Sequence, residues 1–261
     1  MGGKTIAFDN VEHYFHSCVA GSATIQALCS TSMRIEGQQF VALVGPSGCG
    51  KTTALNMVAG LIQPTRGTIR LNGVPPRTGD SDVAYLLARD ALLPWRTALD
   101  NVALPLQIQG IKRREREGRA RALLEEVGLG RFVAAYPTQL SHGMRQRVAV
   151  ARTLVIEPHT LLMDEPFSAL DAITRLNLQQ MFLQLWERVR STVLFVTHDL
   201  TEAILMADRV LVFSPRPGKV EAEFEVPFER PRVLANLQGS EKFHRLFRQI
   251  WNVFHEQIHE K

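Results

Sequence analysis

Phe40-Val41-Ala42-Leu43-Val44-Gly45-Pro46-Ser47-Gly48-Cys49-Gly50-Lys51-Thr52 decides how the rest of the chain is read. Apolar residues run up to a glycine, the pattern of a short strand buried on both faces. Over 52–61, Ala54, Leu55, Val58 and Ala59 recur at helical spacing. Between the two, Gly45 to Thr52 matches G-x-x-x-x-G-K-[ST] in full. Strand, glycine-rich turn and helix open a βαβ unit. Glycines let the backbone curl so that successive N–H groups converge on a phosphate. The helix start adds the positive end of its dipole. Lys51 sets a point charge against β- and γ-phosphates, and the Thr52 hydroxyl is a ligand for Mg²⁺. Cys49 reads as a small loop residue rather than a redox switch. Alone, this loop is shared by kinases, GTPases and motor ATPases.

Working outward, 160–163 is a second short apolar strand, and it ends at Asp164-Glu165-Pro166. Behind a phosphate loop, Asp164 suits a Mg²⁺ site. Glu165 is then placed to polarise an attacking water as a general base. Further buried strands are expected over 193–196 and 210–213; His198 follows the first of them, where a lone histidine reads as structural and only the larger motif pattern makes it a hydrogen-bonding sensor. Leu178, Met181, Phe182, Leu185, Trp186 and Val189 mark one helix face. Strands alternating with helices predict a largely parallel sheet covered on both sides. The stretch 101–154 reads as mostly helical. Phe243, Leu246, Phe247, Ile250, Trp251 and Phe254 predict one amphipathic helix across 231–261.

Composition is that of a globular protein, with 45% apolar and 21% charged residues. A formal charge of +4 is too mild to point to nucleic acid. The densest basic run, Lys112, Arg113, Arg114, Arg116, Arg119 and Arg121, is broken by Glu115 and Glu117. It reads as a solvated mixed-charge face; the other reading is contact with anionic lipid or a partner. Cys18, Cys29 and Cys49 show neither paired nor metal-ligand spacing, as expected of a reduced compartment. No stretch nears the roughly 18 apolar residues that cross a bilayer. The first ten residues lack a signal-peptide core, and Ile6 excludes a myristoylation signal. Any membrane role is therefore expected to come through a partner.

The chain resembles the ATP-binding-cassette ATPases. Five motifs carry the likeness: the loop over 45–53, Leu140-Ser141-His142-Gly143-Met144-Arg145-Gln146, Leu162-Met163-Asp164-Glu165-Pro166, Ser168-Ala169-Leu170-Asp171, and Thr197-His198-Asp199. The resemblance spans about 6–219. It implies an α/β P-loop fold with a mostly parallel core sheet, an N-terminal antiparallel β region and a helical subdomain inserted at about 90–158. The nucleotide-binding domain would cover 5–230, with a C-terminal helical extension over 231–261.

It also implies roles. Gly45, Pro46, Ser47, Gly48, Cys49, Gly50, Lys51, Thr52 and Thr53 would cradle ATP. Thr52 and Asp164 would hold Mg²⁺, and Glu165, His198 and Lys51 would act in hydrolysis. Ser141 and Gly143, read as lying just before a helix over 145–154, resemble the signature that grips the γ-phosphate on a second copy's loop. Two chains would thus form a head-to-tail dimer around ATP, with 168–171 crossing the seam. Phe15, or else Tyr14, would stack on adenine.

Leu92-Leu93-Pro94-Trp95, followed by Asp100-Asn101-Val102, is similar to the subfamily serving nitrate, sulfonate and taurine importers. That implies membrane permease subunits, with 92–95 at the surface receiving them. It also implies a periplasmic or lipid-anchored solute-binding protein and a place on the cytoplasmic side of the bacterial inner membrane. The alternatives are a soluble ABC ATPase outside transport or a weakly hydrolytic regulatory module. Soluble ABC ATPases in DNA repair or on ribosomes usually carry two cassettes or a long coiled-coil insertion.

Two positions depart from the family pattern. Ala88 stands where a glutamine contacts Mg²⁺ and the attacking water, so slower or differently coupled hydrolysis is expected. His142 replaces the signature's first glycine, either as a tolerated variant or as a source of pH dependence in dimer closure.

Overall fold

The computed structural model describes residues 3–15 and 24–259; Met1, Gly2, Cys18 and residues 260–261 lie outside them. Its centre is a six-stranded sheet in the order β5-β6-β7-β3-β8-β9. The strands are β3 (Phe40–Val44), β5 (Val83–Leu86), β6 (Thr160–Asp164), β7 (Thr192–Val196), β8 (Arg209–Phe213) and β9 (Val220–Glu225). All pairings are parallel except β8 with β9.

Every residue of β3 and β7 is buried, which is why these strands read as unbroken apolar runs rather than alternating ones. Alternate residues of β3 enter different cores. Phe40, Ala42 and Val44 join the larger one, with α4 (His142–Leu154), α5 (Ala172–Val189) and α6 (Leu200–Met206). Val41 and Leu43 face the other core, with α1 (Lys51–Val58). The Phe40 ring sits edge-on to Trp186 at 5.3 Å and to Phe195 at 5.9 Å. The buried Trp186 indole donates to the Ser191 carbonyl, so its polar edge is satisfied.

A three-stranded antiparallel sheet, β2-β1-β4, covers the α1 side. It is built from β1 (Ile6–Phe15), β2 (Ile25–Ile35) and β4 (Arg66–Leu71). Ile6, Phe8, Val11 and Leu28 pack there with Leu55 and Val58.

The stretch 101–154 is mostly helical, as read from the sequence. Its helices are α2 (Ala98–Ile108), α3 (Arg113–Glu126) and α4. Thr97 caps α2 by accepting from the Asp100 N–H and donating to its carboxylate. Buried Asn101 accepts from the Leu93 N–H, and its amide donates to the carbonyls of Leu93, Arg96 and Thr97. That side chain fixes the turn through Pro94 and leaves Trp95 exposed. In α3, Arg113 pairs with Glu117 one turn on, and Arg119 with Glu157, as a solvated mixed-charge face would.

Three helix boundaries differ from the sequence reading. α1 runs Lys51–Val58 rather than over 52–61, and Gly60 at φ 70° follows its end. α4 begins at His142 rather than 145, because Ser141 takes the capping position. The C-terminal segment is two helices, α7 (Leu234–Gln238) and α8 (Glu241–His259), rather than one. Gly239 interrupts it, and the Ser240 hydroxyl accepts from the Phe243 N–H to start α8.

Candidate nucleotide-binding site

Parallel strands bring their carboxyl ends to one sheet edge, the usual place for ligands in open α/β sheets. That edge carries the loop after β3, the acid pair after β6 and His198 after β7. Gly50, with φ 99°, turns the loop into α1 in a conformation that a side chain would strain. A Cβ there would also meet Leu28 Cδ2 at 2.7 Å. No side chain caps α1, so its first N–H groups have no intrahelical partner and point along the helix axis. Buried Lys51 folds back, its Nζ donating to the Gly45 carbonyl at 2.7 Å and the Pro46 carbonyl at 2.9 Å, with Cys49 Sγ at 3.6 Å.

The loop is braced by a residue that motif reading missed. A Cβ on Gly218 would lie 1.8 Å from the Cys49 carbonyl oxygen. Gly218 in turn hydrogen-bonds both ways with β2, donating to Ala27 and accepting from Cys29. Only a glycine lets these three segments stack.

Thr52 Oγ1 donates to Asp164 Oδ1 at 3.1 Å across 112 residues of sequence. Burial pushes the Asp164 carboxyl above its ordinary value, and the Thr52 hydrogen bond pulls it back. Glu165 holds φ 48°, an uncommon conformation for a non-glycine residue. Its N–H donates to the Val196 carbonyl and its own carbonyl accepts from Ser168 Oγ. The Glu165 carboxylate lies 3.1 Å from His198 Nδ1. Lys51, Thr52, Asp164, Glu165 and His198 therefore form one cluster.

Ser141 and Gly143 lie apart from it. Among the described residues no hydrogen bond joins either to the phosphate loop. Exposed Ser141 caps α4, its Oγ accepting from the Met144 N–H. A Cβ on Gly143 would meet Thr174 of α5 at 2.9 Å. Gln146, inside the signature-like stretch but not singled out from it, donates to the carbonyl of Pro166, beside the acid pair.

Phe15, the last residue of β1, is exposed beside Ile25 of β2, with His13 edge-on at 4.6 Å. Tyr14 donates to Glu12 instead.

A second unanticipated group ties the loop over 168–171 to the segment holding His198. Arg175 donates to the Leu170 carbonyl at 2.9 Å and to Asp199 at 3.4 Å. Beneath it, buried Glu202 accepts from Thr197 at 2.7 Å and from Gln179 at 3.0 Å. Burial pushes the Glu202 carboxyl up to about 7. No motif spacing announced either residue, since both act through contacts made only on folding.

Known proteins resemble this chain. The ABC transporter family matches residues 28–168. The taurine import ATP-binding protein of Rhizobium johnstonii is 46% identical over 79% of each chain. That of Mesorhizobium japonicum is 47% identical over 76% of this chain and 77% of its own. Among solved structures, the dimeric post-hydrolysis state of an ATP-binding cassette bound to ADP and Pi superposes with a TM-score of 0.74. It is 32% identical over 86% of this chain and all of its own. The chain belongs to the ABC transporter ATPases, a family of ATP-hydrolysing cassettes.

Proposed function

We propose that the chain is the ATP-hydrolysing subunit of an importer for a small sulfonate-like solute, working as a head-to-tail pair. The observation that carries the reading is the split just described. Lys51, Thr52, Asp164, Glu165 and His198 form one cluster, whereas the Ser141-led helix start stands apart and exposed. A half-site of this kind is completed by a second copy, and dimeric relatives support that pairing.

In this reading the loop from Gly45 to Thr53, through Pro46, Ser47, Gly48, Cys49 and Gly50, wraps the phosphates with backbone N–H groups. Lys51 leaves its loop carbonyls for the β- and γ-phosphate oxygens. Thr52 and Asp164 fit a magnesium site. Two hard oxygen donors lie 3.1 Å apart, the donor type a hard cation takes. Magnesium bound there would neutralise charge on the phosphates. Glu165 takes the proton of the attacking water, and His198, held at its carboxylate, contacts the γ-phosphate. Ser141 and the N–H groups around Gly143 grip the γ-phosphate held by the partner's loop. Phe15 stacks on adenine.

Taurine-import relatives support a sulfonate-class solute. Their import role also supports membrane permease subunits as partners; in this reading the permease seats at exposed Trp95, a solute-binding protein lies beyond it, and the chain is peripheral on the cytoplasmic face. No helix among the described residues is long and apolar enough to cross a membrane.

The test is sedimentation of the Glu165→Gln protein with Mg-ATP beside turnover by the unaltered chain. A nucleotide-dependent dimer and measurable hydrolysis are expected. A monomer at saturating ATP would overturn the reading.

A further inference from the structure

The segment after β5 is bolted to the helix that starts at Ser141. After β5, Asp90 is the first residue of this segment whose side chain bonds to another element among the described residues; Leu87 and Ala88 are apolar and Arg89 is exposed. Asp90 Oδ2 accepts from Arg145 Nε at 2.9 Å, and both side chains are largely sheltered. Two turns further along α4, Arg152 donates to the backbone carbonyls of Asp90 and Ala91, at 2.6 and 2.8 Å. Asp90 Oδ1 accepts from the Leu92 N–H, and Ala91 is held at φ 46°. Two arginines at i and i+7 on one face of α4 thus clamp a strained turn that leads directly to Leu92 and Trp95.

The same Arg145 guanidinium reaches the start of its own helix. Nη1 donates to the Leu140 carbonyl at 2.9 Å, and Nη2 lies 3.4 Å from His142 Nδ1. Leu140 and His142 flank Ser141. One planar group therefore fixes both the segment bearing exposed Trp95 and the residues either side of the proposed γ-phosphate half-site.

We infer that Arg145 and Asp90 form a positioning pair. They set the orientation of the Ser141–Gly143 helix start and transmit to it any displacement of the 90–95 segment. The inference rests on the head-to-tail reading proposed above. The pair touches no phosphate, so breaking it weakens closure of the dimer and leaves nucleotide capture by the loop of one chain intact.

The experiment uses full-length protein in a Glu165→Gln background. Dimerisation with Mg-ATP is followed by sedimentation, monomer affinity with a fluorescent ATP analogue, and folding by thermal melting. Asp90→Asn is expected to weaken dimerisation roughly tenfold, the effect of losing one sheltered charged hydrogen bond. Analogue affinity should stay at the parent value, and Asp90→Glu should restore pairing. Dimerisation of Asp90→Asn at the parent constant overturns the inference. So does a parallel loss of analogue affinity and melting temperature, which would make the pair merely structural. A parent that binds the analogue yet never pairs removes the dimer reading itself, and the inference with it.

Discussion

α1 and α4, the two helix starts assigned to phosphate in the proposed reading, begin differently. α1 starts from Gly50 in the left-handed region, with no side-chain cap and with a buried lysine supplying the charge. α4 starts from Ser141 in extended conformation, with its hydroxyl already accepting from the Met144 N–H. The first start gathers its partners from its own chain, through Thr52, Asp164 and Gly218. The second is solvent-facing and answers to distant elements: Asp90 through Arg145, and Pro166 through Gln146. In the proposed reading, one is a complete phosphate grip, and the other is half a grip whose aim is set by the rest of the molecule.

The largest effect expected is on chemistry at the complete grip. Glu165→Gln should lower turnover by about 10²–10⁴-fold, the usual contribution of a general base, while ATP titration shows binding retained. Retained turnover would move the base elsewhere. Lys51→Ala should weaken ATP affinity by about a hundredfold, since a buried charged donor to phosphate is lost, and calorimetry would read it.

Ser141→Ala acts on the other half alone. Calorimetric ATP affinity of the monomer should not change. Dimerisation should weaken, and unfolding free energy should fall by about 1 kcal/mol for the lost cap. Equal damage to monomer affinity would erase the contrast between the two helix starts.

A pH-dependent effect comes from the link between the 168–171 loop and His198. The folded chain raises the Glu202 carboxyl from 4.5 to about 7, chiefly by burial. The folded state thus holds this proton more tightly than the unfolded chain. Its contribution is complete below the unfolded value of 4.5 and is lost as pH rises to about 7. A shift of that size amounts to about 3 kcal/mol. Glu202→Gln, which still accepts from Gln179, should flatten this slope. Urea unfolding at about pH 5 and about pH 7.5 checks it. The smallest change is expected at Ala88→Gln, a modest rise in hydrolysis rate with the membrane partner present; an unchanged rate would remove Ala88 from the account.

Residue types along the chain determined the parts whose chemistry is local. The apolar run into Gly45 can only be a covered strand, the glycines that follow only a curled loop, and Lys51 and Thr52 are useful only at its end. Asp164 and Glu165 were legible because they stand at the end of a short buried strand, and parallel strands end on one side, whereas His198 was legible only through the order of the family's motifs. Tertiary structure decided the rest. Gly218 matters only because β2 and the phosphate loop stack against it, and Arg175 and Glu202 only because α5 lies under the segment after β7. The start of α4 shifted to His142 because a serine hydroxyl there could reach the Met144 N–H. The Asp90–Arg145 bond spans 55 residues, and no local pattern encodes it. Local backbone preference reads along the chain, whereas a hydrogen bond between distant side chains exists only once packing has brought them together and excluded the water that would otherwise compete for them.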